Sequence, residues 1–351
     1  KDYKCTNAIM EDSMRLKILL SLLVFFLVAC RSEEPAEPTL QLAGVNYLGD
    51  LPTLVASKNN LFQKHHLNLE VSLSESGKQN LDDLLAGKVD FALMAPTPFT
   101  LDKLANADTP RQGNEPVILG NLLHSTRMNQ ILTLKGRNIQ TVNALKGGKV
   151  GLSKGTNAEY LWWLYTVFYQ LDADSVELIN LPVTELGSAL VEGKVDAIVT
   201  WQPWTNRYID EYADQIEQVD GSHVYSAKWL LVTTRQMAEE NPEYCQHLLE
   251  AYVEAIRLIQ SDTDNVMQMY SEQANTDEMP LIKYQPALHQ LNLNWSLIAE
   301  LHQSIQWAKL RGLAETDIQT DVISWFAPEP LRTIQPFSVK IPTMQIDESQ
   351  P

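Results

Sequence analysis

A nine-residue unit occurs twice in this chain. Leu84-Leu85-Ala86-Gly87-Lys88-Val89-Asp90-Phe91-Ala92 returns as Leu190-Val191-Glu192-Gly193-Lys194-Val195-Asp196-Ala197-Ile198, with glycine, lysine, valine and aspartate in the same order. Each copy reads as the last turn of a helix, ended by a glycine at C′ where a left-handed backbone carries no Cβ penalty, followed by a buried strand. The predicted strands are 89–95 and 195–200. A proline follows each strand, in Thr97-Pro98-Phe99 and in Gln202-Pro203-Trp204, near the first helical position where a missing N–H costs nothing.

The units sit in longer parallels. Strands are predicted at 69–73 and 176–181 before each copy, and at 42–47 and 149–152 further upstream, the latter two followed by turns at Gly49-Asp50 and Lys154-Gly155. Both halves thus read as strands alternating with helices, which implies parallel strands joined by crossover helices, an α/β fold. Thr156-Asn157-Ala158-Glu159 fits a capping box ahead of an aromatic helix over 160–169. Helical periodicity also runs from Asn241-Pro242-Glu243 through Ile259, and from Trp295 through Trp307. The last third lacks a third copy of the unit and is expected to return and complete the first half.

The N-terminal stretch carries a different signal. Met14-Arg15-Leu16-Lys17 precedes an apolar run from Ile18 to Ala29, a charged n-region and an h-region shorter than the roughly 20 residues of a spanning helix. Leu27-Val28-Ala29-Cys30 resembles a bacterial lipobox, which makes Cys30 the expected lipidation site; an ordinary secretory cleavage nearby is the alternative. Residues 1–13 precede this start and are expected to lie outside the translated protein, 14–29 to be the signal peptide and 30–39 a polar, proline-bearing tether. Arg31 after the cysteine leaves outer-membrane sorting open. Cys245 then stands alone, so no disulfide framework is expected. The remaining body suits two compact lobes. A net charge of −17 argues against nucleic acid and leaves an anionic ligand possible, since helix N-termini bind anions whatever the outer surface carries.

Several motifs carry a resemblance: Leu54-Val55-Ala56 with Asn60-Leu61-Phe62, Leu85 to Asp90, Gly151 to Thr156, and Gly193 to Ala197 with Trp201-Gln202-Pro203-Trp204. In these the chain resembles, over about 40–327, the periplasmic solute-binding proteins of the nitrate, sulfonate and taurine importer class, which share a fold with thiamine-pyrimidine synthase. The resemblance implies a two-lobed, class II periplasmic binding protein-like fold, each lobe a mostly parallel sheet flanked by helices, with solute in the interlobe cleft. On it, residues 40–125 form the first part of lobe 1, 126–230 lobe 2, 231–330 the return to lobe 1 and 331–351 a tail, with crossings near 123–131 and 225–232. It implies a monomeric extracytoplasmic receptor, lipid-anchored, that delivers a small anionic or zwitterionic solute to an ABC permease and uses no cofactor, metal or nucleic acid. A tethered sensor and a synthase-like enzyme are the alternatives.

In open α/β sheets the ligand lies beyond the carboxyl ends of the strands. That rule selects Tyr47, Gly49, Asp50, Ser76, Gly77 and Thr97 in one lobe and Thr156, Asn157, Trp201 and Gln202 in the other. Thr97 and Thr156 either cradle the anion or only cap their helices; Trp201 either covers the solute or packs in the core. Aminosulfonate-binding members often carry a carboxylate where Gln202 stands, which disfavours taurine. Asp50 and Glu75 remain candidate counter-charges or solvated groups. His65-His66 diverge and suggest no metal site, and Lys88 and Lys194 are expected to be solvated.

Overall fold

The computed structural model describes residues 38–342, apart from 110, 203, 220–223 and 275–288. The signal peptide, Cys30 and most of the tether lie outside the described residues. The chain begins as β1 (Leu40–Val45), α1 (Leu51–Lys58), α2 (Leu61–Lys64), β2 (Leu69–Ser74), α3 (Gly77–Leu85), β3 (Phe91–Met94), α4 (Pro96–Ala105) and β4 (Pro116–Leu123). It crosses to a second sheet as β5 (Asn129–Leu134), β6 (Lys149–Leu152), α5 (Asn157–Phe168), β7 (Glu177–Asn180), α6 (Leu186–Val191), β8 (Ala197–Trp201), α7 (Trp204–Glu211) and β9 (Ile216–Val219). It returns as β10 (Leu230–Thr234), α8 (Arg235–Glu240), α9 (Pro242–Ser261), α10 (Thr263–Ala274), β11 (His289–Asn292), α11 (Trp295–Leu310) and α12 (Glu329–Ile334).

The two sheets have orders β2-β1-β3-β10-β4-β11 and β7-β6-β8-β5-β9. The α/β architecture expected from the repeat is present, but both sheets are mixed where mostly parallel ones were expected. Only β1, β2 and β3, and likewise β6, β7 and β8, run parallel. The fourth strand of each sheet is the one that has just crossed from the other lobe, β10 or β5, and it enters antiparallel to its neighbours. A strand that follows a crossing starts at the cleft, where the parallel strands end, so it must run the opposite way.

The repeated unit has the same mechanical role in both lobes. Gly87 and Gly193 take φ of +67° and +71°, ending α3 and α6. The aspartate that follows clamps the first strand: Gln41 N–H donates to Asp90 Oδ2 at 2.7 Å and Lys149 N–H to Asp196 Oδ2 at 2.8 Å. A threonine on each crossing strand then binds the aspartate's carbonyl, Thr233 to Asp90 at 2.7 Å and Thr133 to Asp196 at 2.8 Å. The lysines point outward and pair locally, Lys88 with Asp83 and Lys194 with Glu192. The repeat thus reports sheet construction, and its charged residues stay away from the cleft.

Helical faces follow the periodicity. Leu248, Leu249, Tyr252, Ile256 and Ile259 of α9 are buried against lobe 1, and Leu301, Ile305 and Trp307 of α11 are buried too, Trp307 against Tyr160 of α5. In α5, Leu161, Trp162 and Tyr165 are core, whereas Phe168 is 57% exposed because the helix ends there. The segment expected as a tail is packed as far as it is described: Leu331 is fully buried and Val339 pairs with Leu293. His65 bonds Glu254 at 2.9 Å and lies 3.4 Å from Glu250, anchoring α2 to α9.

Candidate functional site

The carboxyl ends of β1 and β3 face those of β6 and β8 across a small cavity of about 40 Å³. Tyr47, Ser76, Gly77, Thr156, Asn157 and Trp201 line it, as expected. Each is held by local chemistry. Ser76 is the N-cap of α3, and Gly77 is required beside β3, since a Cβ there would lie 2.6 Å from Met94 Cα. Asn80, fully buried on α3, donates to Ala43 O at 3.0 Å and to Leu93 O at 2.7 Å and accepts from Ser74 Oγ at 2.5 Å. It pins the helix start against all three parallel strands.

On the other side Thr156 caps α5 by accepting from Ala158 N–H at 3.3 Å. The capping box is displaced by one residue, because Glu159 reaches back to Gly155 N–H at 2.7 Å. Two helix N-termini, those of α3 and α5, therefore point partial positive charge at the same space.

Four expected residues do not line the cavity. Gly49 is buried beneath Tyr47, where a Cβ would meet the ring at 2.1 Å. Asp50 turns back under β1, accepting from Val45 N–H at 2.9 Å and from Thr53 Oγ at 2.5 Å, and burial pushes its carboxyl up to about 7. Thr97 is fully buried and donates to Asn157 Oδ1 at 3.3 Å, a bond that joins the two lobes. Gln202 folds onto its own helix, donating to Asn206 Oδ1 at 3.0 Å and accepting from Asn206 N–H at 3.3 Å. Glu75 is exposed.

The structure adds residues that the strand-end rule passed over, because they come from the crossings and from a flanking helix. Asn129, Lys228, Trp229 and Lys78 all line the cavity. Lys228 is 3% exposed, with Glu300 of α11 3.6 Å away. Burial lowers the lysine's pKa, and the carboxylate partly offsets this. A lone lysine between apolar Ala227 and Trp229 in a crossing segment was the available sequence signal. Trp229 stacks at a tilt on Tyr47, centroids 4.7 Å apart. Among the described residues no aspartate or glutamate lines this cavity.

Elsewhere on lobe 1 a larger groove of about 750 Å³ runs beside α4, where Arg111 pairs with Asp102 and Arg235 with Glu115. Cys245 is fully buried in α9, and burial pushes its thiol up to about 12, far from use as a nucleophile.

Comparison with known proteins places the chain in a family and a fold. The sequence model of the NMT1-like family matches residues 33–271. A Bacillus subtilis (strain 168) protein named as an aliphatic sulfonates-binding protein is 25% identical over 269 residues, 74% of this chain and 79% of that one. Among solved structures, the periplasmic aliphatic sulphonate binding protein SsuA from Escherichia coli gives a TM-score of 0.68 at 20% identity, covering 83% of this chain and 98% of that one. The alkanesulfonate-binding protein SsuA from Xanthomonas axonopodis pv. citri, bound to MOPS, gives 0.66 at 17% identity over 81% and 96%. The structural likeness establishes a shared periplasmic binding protein fold.

Proposed function

The chain belongs to the NMT1-like family, and from that premise we propose that it is the solute receptor of an ABC importer, binding a small organic sulfonate in the interlobe cleft. The observation that carries this reading is the charge of the cavity wall. In a chain of net charge −17, the cavity is lined by two lysines, two helix N-termini and amides, with no carboxylate among the described residues. Such a wall favours an anion, and Tyr47, Trp201 and Trp229 offer apolar faces to the body of the molecule that bears it. With an amide at Gln202, itself turned away, and Asp50 under β1, an ammonium group would find no partner carboxylate, so the reading disfavours aminosulfonates. Cys30, outside the described residues, carries the lipid that keeps the receptor at a membrane facing the permease.

The test is a thermal-unfolding screen against alkanesulfonates, taurine, nitrate and sulfate. A true ligand at about 100 times its Kd adds roughly 2.7 kcal/mol of apparent stability. We expect butanesulfonate to do so, taurine to do less, and Lys228→Met to lose the response. A response to taurine equal to that of butanesulfonate, or one that survives in Lys228→Met, would overturn the assignment. Labelling with radioactive palmitate, lost in Cys30→Ser, reads the anchor.

A further inference from the structure

Lys228 is held in a polar cluster that the strand-end rule does not explain. Its ammonium lies 3.3 Å from Ser226 O and Oγ, 3.2 Å from His124 Nδ1 and 3.6 Å from Glu300 Oε2. Glu300 does not line the cavity and is 8% exposed. Its other oxygen is 2.9 Å from the Tyr225 hydroxyl, which is also 2.9 Å from Asn157 Oδ1. A phenol has one hydrogen. With Glu300 ionised, Tyr225 can donate to the carboxylate or to Asn157, so only one of the two bonds forms and the other acceptor keeps only Lys228 or Thr97 as its donor. With Glu300 protonated, the carboxyl donates to Tyr225 and Tyr225 donates to Asn157, so both bonds form. The protonated form also leaves Lys228 without its counter-charge, free to face an anion.

We infer that the cleft captures an anionic solute together with one proton, taken from solvent by Glu300. Glu300 is a positioning residue: it touches no solute, but sets the charge that Lys228 presents and the direction of the Tyr225 hydrogen bond. The inference rests on the reading that the cleft binds an anion.

The surroundings support this assignment. Lys228 and Tyr225, from the crossing into β10, are the groups in contact with Glu300, and burial drives its carboxyl up to about 7 against their opposing pull. α5 contributes Tyr160, whose hydroxyl burial and then the Glu300 charge keep protonated, and Glu159, engaged at Gly155 N–H. α4 contributes Asp102, paired with Arg111, and Lys103, which lies over the Phe99 ring. On α11 itself, His302 bonds Ile298 O and Lys309 bonds Ile318 O. His124, beyond Lys228, is held below its ordinary value by burial and by the lysine. An anion beside Lys228 adds negative charge near Glu300 and favours its protonated form. The bound state then holds more protons than the free state near pH 7, and affinity is highest below that pH and falls as pH rises through it.

Calorimetry with butanesulfonate, which keeps its charge throughout, tests this in phosphate, imidazole and Tris; sulfonate buffers would compete. We expect buffer-dependent heats showing uptake of up to about half a proton near pH 7, approaching one proton toward pH 8, and about a tenfold loss of affinity between about pH 6 and about pH 8, within the limit of tenfold per unit for one proton. Glu300→Gln, whose amide can donate to Tyr225 as the protonated acid does, should give a flat profile and no proton uptake. Binding without proton uptake in the wild type, or an unchanged pH slope in Glu300→Gln, overturns the inference and leaves the anion reading standing. Failure of butanesulfonate and nitrate to bind at any pH overturns the anion reading and this inference with it.

Discussion

Asp50 and Trp201 both follow or close a strand at its carboxyl end, and the strand-end rule selects both as candidates to face the ligand, with a solvated carboxylate and a core indole as the alternatives. The Asp50 carboxylate instead accepts from Val45 N–H and Thr53, and Thr53 shares its hydroxyl with Tyr252 of α9 at 2.7 Å. This is a buried polar network inside lobe 1. Trp201 lines the cavity and is 9% exposed. Position relative to a strand was legible; side-chain direction was not, because it depends on partners such as Tyr252 some 200 residues away. Lys228 was missed for the complementary reason, since its segment was recognised as a crossing and not as part of the cleft. We expect Asp50→Ala to cost about 1–3 kcal/mol, the penalty for stranding buried polar partners, with butanesulfonate affinity nearly unchanged. Trp201→Ala should do the reverse, abolishing the ligand-induced rise in melting temperature with little change without ligand. Urea unfolding and calorimetry on both variants check this, and equal losses of affinity would return Asp50 to the site.

Glycines that look equivalent in the sequence hold different elements together. Gly87 and Gly193, at the C′ ends of α3 and α6, have positive φ and open surroundings: a Cβ at Gly87 would meet nothing within 4 Å, and one at Gly193 only the tip of Arg137 at 3.8 Å. Alanine at either costs only the left-handed backbone penalty, about 1–2 kcal/mol, and the two costs should match because the unit is built identically in each lobe. Gly77 is read differently. It has space for no Cβ, with Met94 Cα at 2.6 Å, so alanine must push the start of α3 off β3. We expect Gly77→Ala to weaken butanesulfonate binding as well as stability, while Gly87→Ala and Gly193→Ala leave affinity intact; denaturant melts with calorimetry separate the cases. The repeat made these elements legible, and β6 was placed to the residue. β1 was placed two residues late, at 42–47 instead of Leu40–Val45, because Asn46 and Tyr47 continue the alternation past the point where the chain turns. The mixed sheets were not legible, since strand direction after a crossing depends on which lobe the strand joins.

At the scale of the whole chain, the described halves meet in two kinds of contact. α11 packs on α4 of lobe 1 and α5 of lobe 2, with Tyr160 against Trp307 at 5.3 Å and Arg311 3.2 Å from Asp174. Asn157 forms the second kind: it accepts from Thr97 of lobe 1 and from Tyr225 of one crossing, and donates to Asn129 at the start of β5 at 3.4 Å. The Thr97 bond joins the lobes behind the Asn157 part of the cavity wall and must open for solute to enter, because about 40 Å³ is far below the few hundred Å³ of ordinary ligand sites. Hinge closure of this sort absorbs its motion in a few residues at element ends, here the two crossings. Asn157→Ala should therefore release the latch and leave the α11 contact in place. We expect a larger radius of gyration by small-angle scattering, a smaller contraction on adding butanesulfonate, and affinity lower by about tenfold, the loss of one to two buried hydrogen bonds. Unchanged scattering with unchanged affinity would mean that α11 alone fixes the lobes. The cavity would then have to fill by side-chain movement of Trp201 and Tyr47, not by hinge opening.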